Sequence, residues 1–348
     1  MATSEDVARL AGVSRATVSR VLNGSARVRP ATAERVRHAL VSTQYRPDVV
    51  AQSLAGLRSK TIALNLLPHA DSPKALSLSN MGDSGHYFYL ELLQFLEREI
   101  SQAGFDLTLP SHASDDSTEF VRTLRLRRVA GALMIATHPS DRITSALIAS
   151  GIPTVFIDGI GQGPQATYVK SDHVAAAELA VHHLLGLGHR RIAIVDGPVA
   201  TLSGAERLLG YQRALGAGGV PVRPELICET TFGTADAFRA TVALLERTRD
   251  FTAVVAGSDL MAMGVIRALR ERGLRVPSDV SVVGFDDVDL CEYLDPPLTT
   301  VRQDRPALAS GAVRLLLAMV VGQTGCAPLI VPSELVVRQS TAPPPGRR

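Results

Sequence analysis

Hydrophobic and polar positions in the first 45 residues follow the spacing of short helices. Val7, Ala8 and Ala11 share one face of a predicted helix that starts near Ser4. Gly12 then supplies the permissive backbone at which that helix ends. The pattern therefore predicts a short helix followed by a tight turn.

A second helix is predicted directly after Ser14, which caps it. Its apolar positions form one face, and its opposite face carries Arg15, Ala16, Ser19 and Arg20. Two short helices joined by a tight turn form a helix-turn-helix, whose second helix fits the DNA major groove. We therefore expect the polar face to meet DNA.

A third helix is predicted to begin near Pro30 and to bury Ala33, Val36 and Leu40 against the first two. Residues 48–56 form one further short helical stretch. Since a short helix is marginal on its own in water, this stretch is either a linker that folds only on a partner or the last helix of the head.

From Thr61 onward the pattern changes, and short apolar runs alternate with helical segments. Strands that alternate with helices predict parallel βαβ units, and the pattern repeats after a break, which predicts two doubly wound lobes. Ligands of such sheets bind at the carboxyl ends of the strands. The polar residues at those ends are Asp158, Asp196, Ser258, Asp259, Asp286 and Asp287.

Composition agrees with two or three packed units, because the chain has 348 residues of which 46% are hydrophobic. No run of about 18 apolar residues and no secretory leader is visible, so we expect a cytoplasmic protein. Cys228, Cys291 and Cys326 are far apart and lack metal-ligand spacing, so they are interpreted as core thiols, with neither disulfide nor metal.

The charge is distributed unevenly along the chain. Residues 1–60 contain ten Lys or Arg and four Asp or Glu, a net charge of +6, whereas the remainder carries 26 basic and 30 acidic residues, a net charge of −4. A basic head on a mildly acidic body predicts that the head binds a polyanion and that the body has another task.

An enzyme would require a reactive constellation, and the motifs GxSxG, GxGxxG, GxxxxGK[ST] and HExxH are all absent. We therefore expect no catalysis and no cofactor. A transport-type binding protein would share the two lobes, but it would lack the helix-turn-helix.

Six motifs together resemble the lactose/galactose repressor (LacI/GalR) family of bacterial transcription regulators. In chain order they are "DVARLAGVSRATVSRVLNG", "RPDVVAQSLAG", "LGHRRIAIV", "AERLLGYQRAL", "SDVSVVGFDD" and "PPLTTVRQD". The resemblance implies an all-α helix-turn-helix DNA-binding head and an α/β periplasmic-binding-protein-like body of two doubly wound parallel-sheet subdomains.

The implied domains are a head at 1–46, a hinge helix and linker at 47–59, a ligand-binding and dimerisation domain at 60–341, and a disordered tail at 342–348. Within the body, the N-subdomain takes about 60–170 and 303–330, and the C-subdomain about 171–302 and 331–341. The chain is expected to cross between them near Asp172, near 302–304 and near Pro332.

In the head, the resemblance places Arg15, Ala16 and Arg20 at base-reading positions, with Arg20 suited to bidentate contact with guanine. The matched phosphate-contacting positions are Ser14, Thr17, Ser19, Asn23, Thr32 and Tyr45. The hinge stretch runs from Ala51 to Leu54, and Leu54 matches a minor-groove wedge. The alternative for Leu54 is an ordinary buried leucine.

In the body, the resemblance places Asp158, Arg207 and Asp286 at effector-contacting positions. Carboxylates accept from vicinal hydroxyls and a guanidinium donates two parallel bonds, which suits a sugar. Phe232 matches a sugar-stacking aromatic or else belongs to the core, and Arg207 could instead form a surface ion pair with Glu206 or a neighbour. Ser258 stands where many relatives have Asn.

These features imply a homodimer that binds a pseudo-palindromic operator and is controlled by a small molecule. We expect a repressor whose effector is a sugar; a purine-like corepressor or a protein partner remains open. Residues 69–86 form a longer polar loop than the family usually has, and no leucine heptad follows the body.

Overall fold

The computed structural model describes residues 3–22, 28–43, 59–66, 87–110, 116–137 and 141–346. The chain divides into two compact units, a head (Met1–Ser59) and a body (Lys60–Arg348). Among the described residues, no helix is both long enough and apolar enough to cross a membrane.

Three helices form the described part of the head: α1 (Ser4–Ala11), α2 (Arg15–Leu22) and α3 (Pro30–Thr43). A capping box opens α1, where the Thr3 hydroxyl accepts from the Asp6 amide and the Asp6 carboxylate accepts from the Thr3 amide at 2.9 Å. Gly12 closes the helix in the left-handed conformation, with φ of 63°. The predicted helix-turn-helix is confirmed.

The three helices enclose a small core made of Val7, Ala8, Ala11, Val18, Val36 and Ala39. Val36 is buried as predicted, but Ala33 and Leu40 are only half-buried. Ala39 takes the inner position instead, because it lies three residues after Val36 on the same helix face.

The body contains two six-stranded sheets, one in each lobe. In the first lobe the strands are β1 (Thr61–Leu66), β2 (Asp106–Thr108), β3 (Gly131–Ile135), β4 (Thr154–Ile157), β5 (Ala166–Ser171) and β11 (Leu329–Val331), in the order β11-β5-β4-β3-β1-β2. In the second they are β6 (Ile192–Asp196), β7 (Ile227–Glu229), β8 (Ala253–Ala256), β9 (Ser281–Asp286), β10 (Thr299–Gln303) and β12 (Ser333–Val336), in the order β12-β10-β9-β8-β6-β7.

Among the described strands, all pairs are parallel except β10 with β12, which is antiparallel. The two predicted doubly wound parallel sheets are therefore confirmed, with one antiparallel strand at the edge of the second. Parallel strands of this kind are buried on both faces, which is why their sequences read as continuous apolar runs.

Helices cover both faces of each sheet. The first lobe has α4 (Tyr87–Gln102), α5 (Ser117–Leu126), α6 (Arg142–Ser150) and α11 (Arg305–Val320), and the second has α7 (His173–Gly186), α8 (Leu202–Ala217), α9 (Thr234–Arg247) and α10 (Asp259–Glu271). Two 3₁₀ turns, Pro224–Leu226 and Asp289–Tyr293, complete the second lobe. All three cysteines are free and buried, as predicted.

The chain passes between the lobes at three places, after β5, after β10 and after β11. At the first two, an aspartate caps the next helix: Asp172 accepts from the Ala175 amide at 3.0 Å, and Asp304 accepts from the Ala307 amide at 2.9 Å. Pro332 alone separates β11 from β12. The lobes are thus joined by three short connecting segments of the chain.

The predicted disorder of the tail is wrong at its start. The Ala342 carbonyl lies 2.9 Å from His189 Nε2, and the Ala342 amide donates to the Ser281 hydroxyl at 3.0 Å. The family resemblance implied disorder from residue 342 onward. Backbone hydrogen bonds to distant side chains hold Ala342 instead.

Candidate functional site

The outward face of α2 carries the predicted base-reading residues. Arg15, Ala16 and Arg20 are exposed, while Val18 on the opposite face is buried. Arg15 forms an exposed ion pair with Glu5, with 2.9 Å between Nη1 and Oε1. An exposed pair of this kind is worth at most about 1 kcal/mol, so a DNA base or phosphate can displace Glu5 readily.

The predicted phosphate-contacting residues lie around the start of α2. The Ser14 hydroxyl accepts from the Thr17 amide at 3.3 Å, and the two hydroxyl oxygens are 3.0 Å apart. Ser19 is exposed and Thr32, near the start of α3, is half-buried. The remaining predicted DNA contacts, Asn23, Tyr45, Ala51 and Leu54, lie outside the described residues, as does the loop 69–86.

In the body, Asp158 follows β4 with a left-handed backbone at φ of 51°. Its carboxylate is 3.2 Å from His173 Nε2, and the Tyr89 hydroxyl donates to it at 3.4 Å. Burial alone would raise the pKa of Asp158, but His173 and Arg207 together lower it. Asp158 is therefore held as a carboxylate.

Asp286 ends β9 and is also left-handed, with φ of 113°. The Gln303 side-chain amide donates to its Oδ1 at 2.7 Å. Burial, with Asp259 nearby, raises the pKa of Asp286 well above its ordinary value, although Arg207 opposes the shift. Left-handed aspartates are uncommon, and such strain persists only where the surroundings enforce it, often at ligand sites.

Asp259 supports the strand end that carries Asp286. Its carboxylate accepts from the Thr300 hydroxyl and, at 2.9 Å, from the Val288 amide. Burial raises the pKa of Asp259 to about 6. This carboxyl is wholly buried behind the turn, so we interpret it as a support for the loop and not as a contact.

Arg207 lies on α8 and is buried, with 6% of its surface exposed. Its Nη1 donates to the Gly257 carbonyl at 2.6 Å, and its guanidinium carbon lies 4.1 Å from the Phe285 ring centre. A surface ion pair with Glu206 is therefore wrong. Glu206 pairs instead with Lys170, which reaches across from the first lobe.

Phe232 and Ser258, the two less specific effector predictions, both contact other residues of the second lobe. Phe232 is half-buried against the core of the second lobe, and its ring centre lies 5.9 Å from the guanidinium carbon of Arg207. Ser258 is 4% exposed, and its hydroxyl accepts from the Met261 amide at 3.1 Å as the N-cap of α10. Their contacts with an effector stay predictions.

A second link between the lobes lies beside Asp286. Arg305, at the start of α11 in the first lobe, pairs with Glu91 of α4 at 2.6 Å. The same guanidinium donates to the carbonyls of Asp286 and Asp287, at 3.3 and 3.0 Å. The turn that carries Asp286 is therefore tied directly to the first lobe.

Comparison with known proteins identifies both parts of the chain. Residues 3–48 match the model of bacterial regulatory proteins of the lacI family, and residues 181–341 match a periplasmic binding protein-like domain. The HTH-type transcriptional regulator CelR of Thermobifida fusca is 35% identical over 97% of this chain and 98% of its own length. The chain belongs to the lacI family of bacterial regulatory proteins.

Other proteins similar to this lacI-family chain support the same family assignment. The HTH-type transcriptional regulator MalR of Streptomyces coelicolor is 37% identical over 99% of this chain and 97% of its own length. Among solved structures, the lac repressor dimer bound to operator and the anti-inducer ONPF is 30% identical, with a TM-score of 0.81 over 98% of this chain and 99% of that one.

A structure of the CelR–cellobiose complex is 33% identical, with a TM-score of 0.73 over 98% of this chain and 100% of that one. This lacI-family chain is thus a transcriptional regulator, and the family consists of regulators and not of enzymes. The resemblance read from the six motifs is confirmed.

Several residues of this site were not predicted for the lacI-family chain. His173, Tyr89 and Gln303 touch Asp158 or Asp286, but each comes from a distant helix or strand. Asp196 was marked only as a polar residue that follows a strand. No sequence spacing connects Lys170 with Glu206, whereas a search for polar residues at helix starts would have found His173.

Proposed function

We propose that this lacI-family protein is a repressor that binds a pseudo-palindromic operator as a homodimer and responds to a neutral sugar held in its body. The effector contacts are Asp158, Arg207 and Asp286, with Phe232 and Ser258 beside them. Effector binding changes the lobe arrangement and weakens operator binding, and by linkage the operator weakens effector binding equally. The protein acts in the cytoplasm, on the nucleoid when DNA is bound.

One observation carries the effector part of this proposal. The carboxyl ends of strands from both lobes carry two buried aspartates, Asp158 and Asp286, and the positive charge of one buried arginine, Arg207, favours the ionised form of each, although burial still raises the pKa of Asp286. Arg207 Nε and His173 Nδ1 are buried and have no hydrogen-bond partner among the described residues. An unsatisfied buried polar group costs about 1–3 kcal/mol, so a ligand that supplies partners is favoured.

A sugar meets these requirements better than an apolar ligand. Its hydroxyls donate to carboxylates and accept from a guanidinium, and its ring face packs on an aromatic such as Phe232. The relative CelR in complex with cellobiose supports a sugar for this chain as well. A coupling of about 1–3 kcal/mol would change operator affinity five- to 150-fold.

The head supports operator recognition by its exposed α2. The exposure of Arg20 supports its contact with guanine, and the exposed Ser14 hydroxyl beside that of Thr17 supports contacts of this region with phosphates. Arginine bonds to both O6 and N7 of guanine in the major groove, which discriminates between bases by about 1–3 kcal/mol. Phosphate contacts fix the register without reading the sequence.

The effector is tested by thermal unfolding of the full chain with cellobiose, maltose, adenine and hypoxanthine. A ligand that binds only the folded state raises the melting temperature. We expect a rise with a sugar, and Asp286→Asn should abolish it while Asp250→Asn, at an exposed acid of the same lobe, retains it. A rise with a purine alone would overturn the sugar assignment.

The operator is tested by selecting duplexes from a random pool and measuring binding by fluorescence anisotropy. We expect selected duplexes to bind more tightly than the starting pool, with affinity that falls as salt concentration rises. The sugar that raises the melting temperature should weaken this binding. Equal affinity for selected and random duplex, with and without sugar, would overturn the proposal.

A further inference from the structure

Asp196, the last residue of β6, has a carboxylate that the protein only half uses. The residue is 5% exposed, and its Oδ1 accepts from the Gly197 amide at 2.7 Å. Its Oδ2 is buried and has no hydrogen-bond partner among the described residues. Arg207 is the one basic residue of the described part of the chain within 4 Å, and its Nη1 lies 3.8 Å from Oδ1, which is too long for a hydrogen bond.

Two glycines, Gly197 and Gly257, leave room for the Asp196 carboxylate and the groups around it. A Cβ at Gly257 would lie 1.8 Å from Asp196 Oδ1, and a Cβ at Gly197 would lie 2.2 Å from the Phe232 ring. Neither contact is possible for a real side chain, so both glycines are required for the present packing. The carboxylate thus occupies a fitted position between the backbone after β8 and the Arg207 guanidinium.

The charge around this position is out of balance. Arg207 lies 3.8 Å from Asp196, and its positive charge favours the ionised forms of Asp158, Asp196 and Asp286. His173 also lowers the pKa of Asp158 and Asp196, and Arg305 also lowers that of Asp286, yet burial still raises the pKa of Asp196 and Asp286 above their ordinary values. The site therefore favours a ligand that brings hydrogen-bond donors and disfavours one that brings further negative charge.

We propose that Asp196 is a specificity-determining effector contact whose Oδ2 accepts a hydrogen bond from a hydroxyl or amino group of the sugar and excludes acidic sugars. This inference rests on the proposed function and names a contact beyond Asp158, Arg207 and Asp286. Arg207 does not satisfy this carboxylate in the present geometry, because its Nη1 donates to the Gly257 carbonyl at 2.6 Å and lies 3.8 Å from Asp196 Oδ1.

The test compares Asp196→Asn with wild type and with Asp250→Asn, the same change at an exposed acid. Isothermal titration calorimetry measures the affinity of cellobiose and maltose, of the diamino analogue of cellobiose, and of cellobionic and maltobionic acids. We expect Asp196→Asn to weaken the neutral sugar that binds wild type by about tenfold or more. The ratio of the affinity for that neutral sugar to the affinity for the corresponding acid should be smaller in the variant than in wild type.

The diamino analogue separates the two kinds of donor. Tighter binding of that analogue than of cellobiose by wild type, lost in Asp196→Asn, assigns an amino group to the contact, and the reverse order assigns a hydroxyl. Affinities in Asp196→Asn that all stay within about twofold of wild type would overturn the inference.

The melting temperature of the ligand-free chain is a second measurement, and its direction of change distinguishes a ligand contact from a structural role. Because the ionised carboxylate is buried without a full set of partners, its replacement by the neutral amide should raise the melting temperature of the ligand-free chain, by about 2 °C. A lower melting temperature would mean that Asp196 supports the fold, and would overturn the inference. This readout holds even if no sugar stabilises wild type, a result that would reject the proposed function separately.

Discussion

Replacement of Gly210 by alanine tests how closely helices α7 and α8 must approach to place Arg207. Gly210 lies on α8, one turn after Arg207, and a Cβ there would lie 2.2 Å from the Val174 carbonyl oxygen and 2.9 Å from the Ala177 Cβ of α7. Ordinary contact begins at 3.4 Å, so the helices would have to separate by about 1.2 Å.

The size of the effect follows from two opposing contributions. Overpacking costs about 1–3 kcal/mol, and the upper end applies because the clash is with backbone, which cannot rotate away. Alanine is favoured over glycine inside a helix by about 1 kcal/mol. The net expectation is a loss of about 2 kcal/mol, or a fall in melting temperature of about 4 °C.

Gly216 provides the matched control on the same helix. A Cβ there would meet nothing within 4 Å, so Gly216→Ala should stabilise the body by about 1 kcal/mol through helix propensity alone. Urea unfolding followed by circular dichroism at 222 nm measures both variants, which suits a chain without tryptophan. The sugar that stabilises wild type should also bind Gly210→Ala more weakly, since α8 carries Arg207. If Gly210→Ala proved as stable as Gly216→Ala, the close approach of α7 and α8 would be refuted.

Three further outcomes are expected. Lys170→Met leaves the Glu206 carboxylate largely buried and without its cation, so the free energy of unfolding measured in urea should fall by about 3 kcal/mol, and the double variant with Glu206→Leu should recover most of the loss; no recovery would contradict this. Burial raises the pKa of Asp259 from 3.8 to about 6, so the stability that its protonated form gives is complete below pH 3.8 and is lost as pH rises through about 6. Asp259→Asn should reduce the decline of the free energy of unfolding, measured in urea between pH 4 and 7, and an unchanged dependence on pH would contradict this. Arg20→Ala should weaken a selected operator about five- to 150-fold in anisotropy assays while Arg37→Ala on α3 has a smaller effect, and equal effects would remove Arg20 from the base-reading role.

Local chemistry made the head predictable from the sequence. The spacing of Val7, Ala8 and Ala11, the turn at Gly12 and the cap at Ser14 are all signals within a few residues, and the helices begin and end where those signals place them. The alternation of apolar runs with helical segments likewise predicted two doubly wound lobes, because strands buried on both faces must be continuously apolar.

The strand-end rule also marked much of the proposed effector site. It marked Asp158, Asp196 and Asp286 because parallel strands bring their carboxyl ends to one edge, whatever the side chains around them. The rule cannot say which polar atoms already have partners. Asp259 was marked equally, and only the structure shows that its carboxylate is used by Thr300 and the Val288 amide.

What the sequence by itself determined was therefore the class of each element and the family, since these depend on periodicity, caps and contiguous motifs. Tertiary structure alone decided that Arg207 faces the carboxyls and not Glu206, that Lys170 reaches Glu206 in the other lobe, and that Asp196 keeps an unpartnered oxygen. Such contacts join residues far apart in the chain, and their energies depend on burial and distance, which no local pattern encodes.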